Sequence, residues 1–402
     1  MIDGVRPEVE LVCRCLSPSL DVGDRERIET LLTADLDWAF LLEFARHHGV
    51  VPALHERLVG EYGSRLDGET RSTLEARQRS RTATNLRMAS TLPELLDRFE
   101  DADIRALPFK GPVLAEAAYG SLSRRTFNDL DILVDKEDIS RALDVLESMG
   151  YESNLDAPRL DDAAILGGPL TPALAPEYSM HHPEGDVVVE VRWGVGDHPV
   201  EFKCGFETLW ERRESVTIAG RPVPALSPAD RLLVLSFHGV KHGFALLKWV
   251  ADVAMAVHAI SDPDWRALYR RAGEYGVTRR LTVALGVAMR VLDVETPAAS
   301  ARLRDDDIAA DFVDRVSDRL ATRPLCEFES VDNRSFRIGA SDSRYNRVLL
   351  TLSITLVHPT LEEYRCLPLP GALHPVYYFL RPLLVLLDRT DWDWSHGAEG
   401  ES

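Results

Sequence analysis

Lysine is scarce in this 402-residue chain. Lys110, Lys136, Lys203, Lys241 and Lys248 are its lysines, and arginine supplies every other fixed cation. Asp and Glu outnumber Lys and Arg by 65 to 46, which leaves a formal net charge of −19. Without a basic stripe to neutralise a phosphate backbone, general binding to long nucleic acid is excluded. A small anion held in one local basic pocket is not. An acidic, lysine-poor surface suits solubility at high salt, so a halophilic source is expected. The cysteines Cys13, Cys15, Cys204, Cys326 and Cys366 form no C-x-x-C pair. That argues against a zinc knuckle or a thioredoxin-type motif, and they read as reduced. Met1-Ile2-Asp3-Gly4 has neither a basic n-region nor an apolar h-region, so no signal peptide is expected. No run of 18 apolar residues occurs, so no ordinary membrane span is expected, and the expected location is cytoplasmic. Gly-x-Ser-x-Gly, Gly-x4-Gly-Lys and Gly-x-Gly-x-x-Gly are also missing.

What is present is an ordinary apolar fraction, 45%, enough for a large core. Residues 8–100 read as helical, with Leu36, Phe40, Leu41 and Phe44 at helical spacing. A long polar helix is expected over 67–99, with Leu86, Leu92, Leu95, Leu96 and Phe99 facing inward. The texture changes at residue 101. Strands are expected at 104–109, 130–134, 178–182 and 187–193, the last two joined by a turn at Asp186. A hairpin is expected around Ala219-Gly220. Ser227-Pro228 starts a second helical region, with Ser as N-cap and Pro at the first helical position. Its helices are expected at 228–242, 245–260, 264–276, 278–293, within 305–320, and at 344–357 and 374–388. The expected architecture is α+β. A helical N-terminal region (1–100) and a helical C-terminal region (226–390) flank a small mixed β-sheet core (101–225), and a tail (391–402) follows.

The chemistry concentrates in residues 109–134. Phe109-Lys110-Gly111-Pro112 opens a helix, and Arg124-Arg125-Thr126-Phe127-Asn128-Asp129-Leu130-Asp131 leads into the apolar run Ile132-Leu133-Val134. Alternate strand residues share a side, so Asp129 and Asp131 lie on one face with Cα atoms roughly 6.5–7 Å apart. Carboxylates so placed repel each other unless a cation removes the penalty, and magnesium prefers such hard oxygen ligands. Asp-x-Asp alone is weak in an Asp-rich chain; Asp101 and Asp103 form another. The context adds a buried strand, and before it a glycine turn and helix N-terminus suited to phosphate oxygens. Lys110 and Arg124 or Arg125 add local cations.

This segment resembles the polymerase-β-type nucleotidyltransferase superfamily, and within it the uncharacterised nucleotidyltransferase family of bacteria and archaea. The residues that carry the resemblance are Lys110-Gly111, Tyr119-Gly120, Arg125, Asp129/Asp131 with Ile132-Leu133-Val134, and Met149-Gly150-Tyr151. His48-Gly49-Val50 before Pro52, and Leu226-Ser227-Pro228-Ala229-Asp230 with His238-x-x-x-His242, extend it over most of the chain. The resemblance implies transfer of a nucleoside monophosphate from a nucleoside triphosphate to a hydroxyl on a small molecule or a protein, with release of pyrophosphate. It implies Mg2+ or Mn2+ as cofactor, and Asp129, Asp131 and a third acid as catalytic and metal-binding residues. Glu190, inside the apolar strand Val187–Trp193, is the leading candidate for the third acid; Asp186 and Glu177 are weaker ones. A solvent-facing Glu190 on a half-exposed strand is the alternative. Lys110, Gly111 and Arg125 are implied to hold phosphates, and His238, His242 and Lys248 to line the substrate pocket.

Two positions depart from the pattern. Pro112 stands where the wider superfamily has Ser or Gly, and proline offers neither hydroxyl nor N–H to a phosphate. Arg192-Trp193 stands where the narrower family often has His-Trp. A nucleotide- or partner-binding protein of the same fold without catalysis is therefore the alternative function. The His238/His242 pair has three readings: structural packing, pocket lining and a metal site. Gly239 in place of a glutamate excludes a zinc protease motif. His181-His182 reads as a solvated hairpin or a strand end near the site, and Trp193 as core or as a stacking surface.

Overall fold

The structure is a computed structural model describing residues 4–153, 177–183, 187–197, 200–325, 336–352, 367, 369–370, 373 and 376–380. Asp186, Cys326, Cys366, the tail and most of the two expected C-terminal helical stretches beyond residue 352 lie outside the described residues.

The aspartates of this acidic chain start many of its helices. Asp21, Asp37, Asp67, Asp264 and Asp306 each accept a backbone N–H from the first turn of the helix that follows. Ser227 does the same for Pro228–Lys241, at the start the sequence indicates. The N-terminal region includes Pro7–Leu16, Val22–Leu32 and Trp38–His47, then the 34-residue helix Gly68–Asp101. On the long helix Met88, Leu92, Leu95 and Phe99 recur at helical spacing and are buried. Leu86 is 53% exposed, against expectation. It stands two residues before Met88 and so points to the opposite side of the helix.

The central sheet comprises β1 (Ala106–Pro108), β2 (Asp129–Val134), β3 (Glu152–Ser153), β4 (Glu177–His181) and β5 (Val188–Arg192), in the order β1-β2-β5-β4-β3. Only β2 and β5 run parallel among these pairs. A parallel pair needs a crossover, and the helix Ile139–Ser148 follows β2. β6 (Glu214–Ile218) and β7 (Arg221–Ala225) form the expected hairpin. Pro108 is tolerated because β1 is an edge strand.

Alternation gives the sheet two unlike faces. Leu130, Ile132, Val134, Val189 and Val191 share a buried cluster with Leu143, Leu146 and the C-terminal half of the long helix. Asp129, Asp131, Leu133, Glu190 and Arg192 occupy the other face. There Leu133 and Leu107 join a second cluster, which contains both the N-terminal helices and the helices after residue 226. The two helical regions, separate in sequence, thus share one core over the charged face of the sheet. That region contains Pro228–Lys241, Leu247–His258, Trp265–Tyr275, Thr278–Leu292 and Asp307–Thr322, near the expected bounds. Phe206–Glu211 and Pro297–Leu303 are short helices the sequence pattern did not reveal.

Candidate active site

The parallel register pairs Asp131 with Glu190, Asp129 with Val188, and Leu133 with Arg192. Paired strand positions lie about 4.8 Å apart, so the third acid stands directly beside Asp131. The weaker candidate Glu177 instead pairs in register with Arg192 and bonds its guanidinium.

Before β2, the turn at Lys110-Gly111 brings a helix N-terminus to the acids. Gly111 has φ +53°, and a Cβ there would lie 3.0 Å from the Asp129 carbonyl oxygen. Glycine is thus required twice over, by its dihedral and by the close approach. Lys110 Nζ donates to Asp131 Oδ1 at 2.9 Å.

The 121–128 loop that delivers Asp129 is held by a stripe on the long helix. Gln78 Nε2 donates to the Ser123 carbonyl at 2.8 Å, and Arg81 Nη1 to Asn128 Oδ1 at 2.7 Å. The fully buried Asn85 donates through Nδ2 to the carbonyls of Leu122 (2.7 Å) and Arg125 (2.8 Å). These polar residues, at helical spacing on a helix that reads as polar, do the work of positioning the loop. Asn85→Ala should cost about 1–3 kcal/mol of stability, since the buried Arg125 carbonyl and the half-buried Leu122 carbonyl lose their donor. Denaturant titration checks it; a change below about 0.5 kcal/mol would contradict the role.

Arg125, expected to hold phosphate, is paired with a carboxylate while lying close enough to Asp129 and Asp131 to act on both. It is 6% exposed, and its Nε and Nη2 donate to the two Asp252 carboxylate oxygens at 2.7 and 2.9 Å. Tyr119 Oη also donates to Asp252, at 2.7 Å. Burial opposes the Arg125 charge, but Asp252 more than compensates and raises its proton affinity. Asp252, a carboxylate in the apolar run Val250-Ala251-Asp252-Val253-Ala254, would be unpaired without this cation. Arg124 likewise turns outward to Glu56, 2.5 Å away.

Helices Pro228–Lys241 and Leu247–His258 supply the opposite wall. His238 and His242, one turn apart, have ring centroids 4.6 Å from each other and 5.4 and 5.1 Å from Trp249. Lys241 Nζ donates to Asp197 Oδ1 at 2.6 Å. Arg337 lies 2.9 Å from Asp197 and 2.5 Å from Glu201, a network no sequence motif signals. Trp193 packs against the apolar sheet core and His182 against Tyr151, so neither presents a free stacking ring at the acids.

Asp131 is buried, Asp129, Glu190 and the titratable wall residues are half-buried, and burial is the largest influence on each. Groups lining a narrow recess behave this way. Burial, then Asp131, raises the Asp129 carboxyl above its usual range. Burial, then Asp131 and Asp129, pushes Glu190 up to about 8. Asp131 is the opposite case: burial would raise it, but Lys110 and Arg192 outweigh burial and hold it low. Burial depresses Lys241 to about 8, lowers Lys248, and keeps His238 and His242 neutral. Lys110, Lys241 and Lys248 of the five lysines thus all act electrostatically on the group of three acids.

Among the described residues, no three His, Cys, Asp or Glu side chains converge on a point that would hold a metal ion. Lys110 engages Asp131 instead. The donor chemistry nevertheless fits a hard divalent cation: three neighbouring carboxylates, two of them with proton affinity raised by burial and then by repulsion from their neighbours. Two recesses elsewhere, of about 340 and 540 Å3, include none of these acids.

The parallel strands β2 and β5 thus bring three acids beside a lysine-glycine helix start. Residues 34–293 match the family described as uncharacterised nucleotidyltransferase, and the chain belongs to it. No curated protein matches. Among solved structures, an antigenic nucleotidyltransferase-like protein from Paracoccidioides brasiliensis is similar, at 14% identity and TM-score 0.33, over 56% of this chain and 92% of its own. Among the described residues no helix is long and apolar enough to cross a membrane.

Proposed function

We propose that the protein transfers a nucleoside monophosphate from a nucleoside triphosphate to a hydroxyl acceptor, a small molecule or a protein, and releases pyrophosphate. The observation that supports this most is the β2–β5 register, which sets Glu190 beside Asp131 and next to Asp129 and the Gly111 helix start. Asp129, Asp131 and Glu190 would hold Mg2+ or Mn2+, which when bound neutralises phosphate charge and activates an oxygen nucleophile. The N-terminus of Gly111–Tyr119 offers its positive dipole end to the phosphates, although Pro112 contributes no N–H. Lys110 and Lys248 supply cations to the triphosphate. In the transfer, an acceptor O–Pα bond forms, the Pα–O bond to the β-phosphate breaks, and the acceptor proton passes to Glu190. His238, His242 and Trp249 form a neutral wall against which bound substrate lies. The second reading, nucleotide or partner binding without catalysis, draws on the Lys110–Asp131 pairing and the unconverged acids. Transfer of label from each α-32P nucleoside triphosphate into a lysate, with Mg2+ or Mn2+, tests the proposal. Binding of nucleotide with no label transferred to any acceptor would favour the second reading.

The acids also make a stability prediction. Glu190 ionises at an ordinary carboxylate value when unfolded and near 8 when folded. Its stabilising protonated state is therefore lost progressively as pH rises from about 4.5 to about 8. Metal-free Glu190→Gln should melt about 2–5 °C above wild type at pH 8, with the gap closing toward pH 4.5. A gap independent of pH in differential scanning calorimetry would contradict the assignment.

A further inference from the structure

The helix Leu247–His258 opens without a cap of its own, since Leu246 offers no side-chain acceptor. The first N–H groups of a helix need partners from elsewhere. Here they come from the N-terminal region. Leu247 N–H donates to His48 Nδ1, and Lys248 N–H to the His48 carbonyl, both at 3.2 Å. His48 Nε2 lies 2.7 Å from the Pro324 carbonyl. Because Nδ1 accepts, Nε2 carries the proton and donates, so the 2%-exposed imidazole is neutral and its orientation is set at both nitrogens.

The next residue shapes the lysine itself. Gly49 has φ +67°, and a Cβ there would meet Lys248 Cδ at 3.0 Å, so the lysine stem lies across bare backbone. Lys110 and Lys241 each hold a carboxylate, Asp131 and Asp197. Among the described residues no carboxylate lies within ion-pair distance of Lys248, although Asp129, Asp252 and Arg125 act on it electrostatically. In a chain of net charge −19, that leaves the Lys248 ammonium, 5.9 Å from the Trp249 ring centroid, without a carboxylate partner among the described residues.

We propose that the His48–Gly49 turn is a positioning element that caps the Leu247–His258 helix and aims Lys248 into the recess to receive the triphosphate. This rests on the nucleotide reading given above. The N-terminal helical region then belongs to the active site, and acts through Lys248 without touching substrate.

Calorimetry with inorganic tripolyphosphate, and with ATP, GTP, CTP and UTP, each with Mg2+, tests this on the full chain. Lys248→Ala should weaken tripolyphosphate binding about 10- to 100-fold, as expected for loss of a charged hydrogen bond. Gly49→Ala should weaken it comparably. The double variant should bind no worse than Lys248→Ala, because truncation of the stem removes what the new Cβ obstructs. Mn2+ affinity without phosphate should stay within about twofold of wild type. If Gly49→Ala does not fold, Gly49→Asn keeps the added Cβ with a residue that tolerates positive φ. Wild-type-like binding by the Gly49 variant beside a weakened Lys248→Ala would overturn the positioning role and leave the nucleotide reading intact. Additive losses in the double variant would overturn it too. A wild-type protein that binds neither tripolyphosphate nor any nucleotide would overturn the nucleotide reading itself.

Discussion

Asp129→Asn and Asp131→Asn should each lower nucleotidyl transfer by about 10^2- to 10^3-fold or more, and should move stability in opposite directions. The loss of transfer follows from removing a carboxylate from the group that would hold the cation. The stability difference follows from their surroundings. Asp131 is 2% exposed and bonded to Lys110, so its charge favours the folded state. Its carboxyl is held low, so that stabilisation is present above the usual carboxylate range and is lost as pH falls through the depressed value. Asparagine there strands the Lys110 ammonium, and the melting temperature should fall. Asp129 is raised by burial and by Asp131, so its ionisation opposes folding as pH climbs through the acid range. Asparagine there relieves repulsion, and the metal-free protein should melt at or above the wild-type temperature at pH 7. Transfer assays with scanning calorimetry in chelator check both halves. Transfer by Asp129→Asn above about a tenth of wild type would sink the catalytic assignment. Equal destabilisation by both variants would sink the electrostatic account.

Asp252→Ala should be among the most destabilising single changes, at about 3–5 kcal/mol, because it leaves the buried Arg125 guanidinium unpaired. A drop of about 5–15 °C in melting temperature corresponds to this. The pair Arg125→Met/Asp252→Leu should recover most of that loss, since apolar replacements of similar size often match a buried ion pair. The double variant also separates two roles for Arg125. A guanidinium that only clamps the 121–128 loop to the Leu247–His258 helix can be replaced without loss of nucleotide affinity, and this is the expected outcome. Restored stability with affinity still down tenfold would show that Arg125 reaches the phosphates after all.

Much of the local structure is legible in the chain. Alternation of Asp129, Asp131 and Leu133 with Leu130, Ile132 and Val134 assigns both the strand and its acidic face. Gly111 marks a helix start that only glycine allows beside the Asp129 carbonyl. Glu190 stands out as a charge within an apolar strand. The positioning machinery is less legible. Nothing in the sequence singles out Gln78, Arg81 and Asn85 on the polar helix, because periodicity reports which side is apolar, not which loop a polar side finds. Leu86 was misplaced for a related reason: composition shows an apolar residue, whereas its angular offset from Met88 decides its exposure. Arg125 carries the same charge whether it faces a phosphate or Asp252, 127 positions away.

By itself, then, the sequence determined the secondary elements around the site, the pairing of two acids on one strand face and the family to which the chain belongs. These depend on dihedral preference, side-chain alternation and residues close in the chain. Tertiary structure alone decided that Glu190 lies beside Asp131 and that Lys110, Lys241 and Lys248 act on one group of acids. It also decided that Asp252 pairs with Arg125, and that His48 caps a helix beginning 199 residues later. The first follows from the register of two strands distant in sequence, and the others pair charges or hydrogen-bonding groups on elements that meet only when the helical regions pack over the acidic face of the sheet.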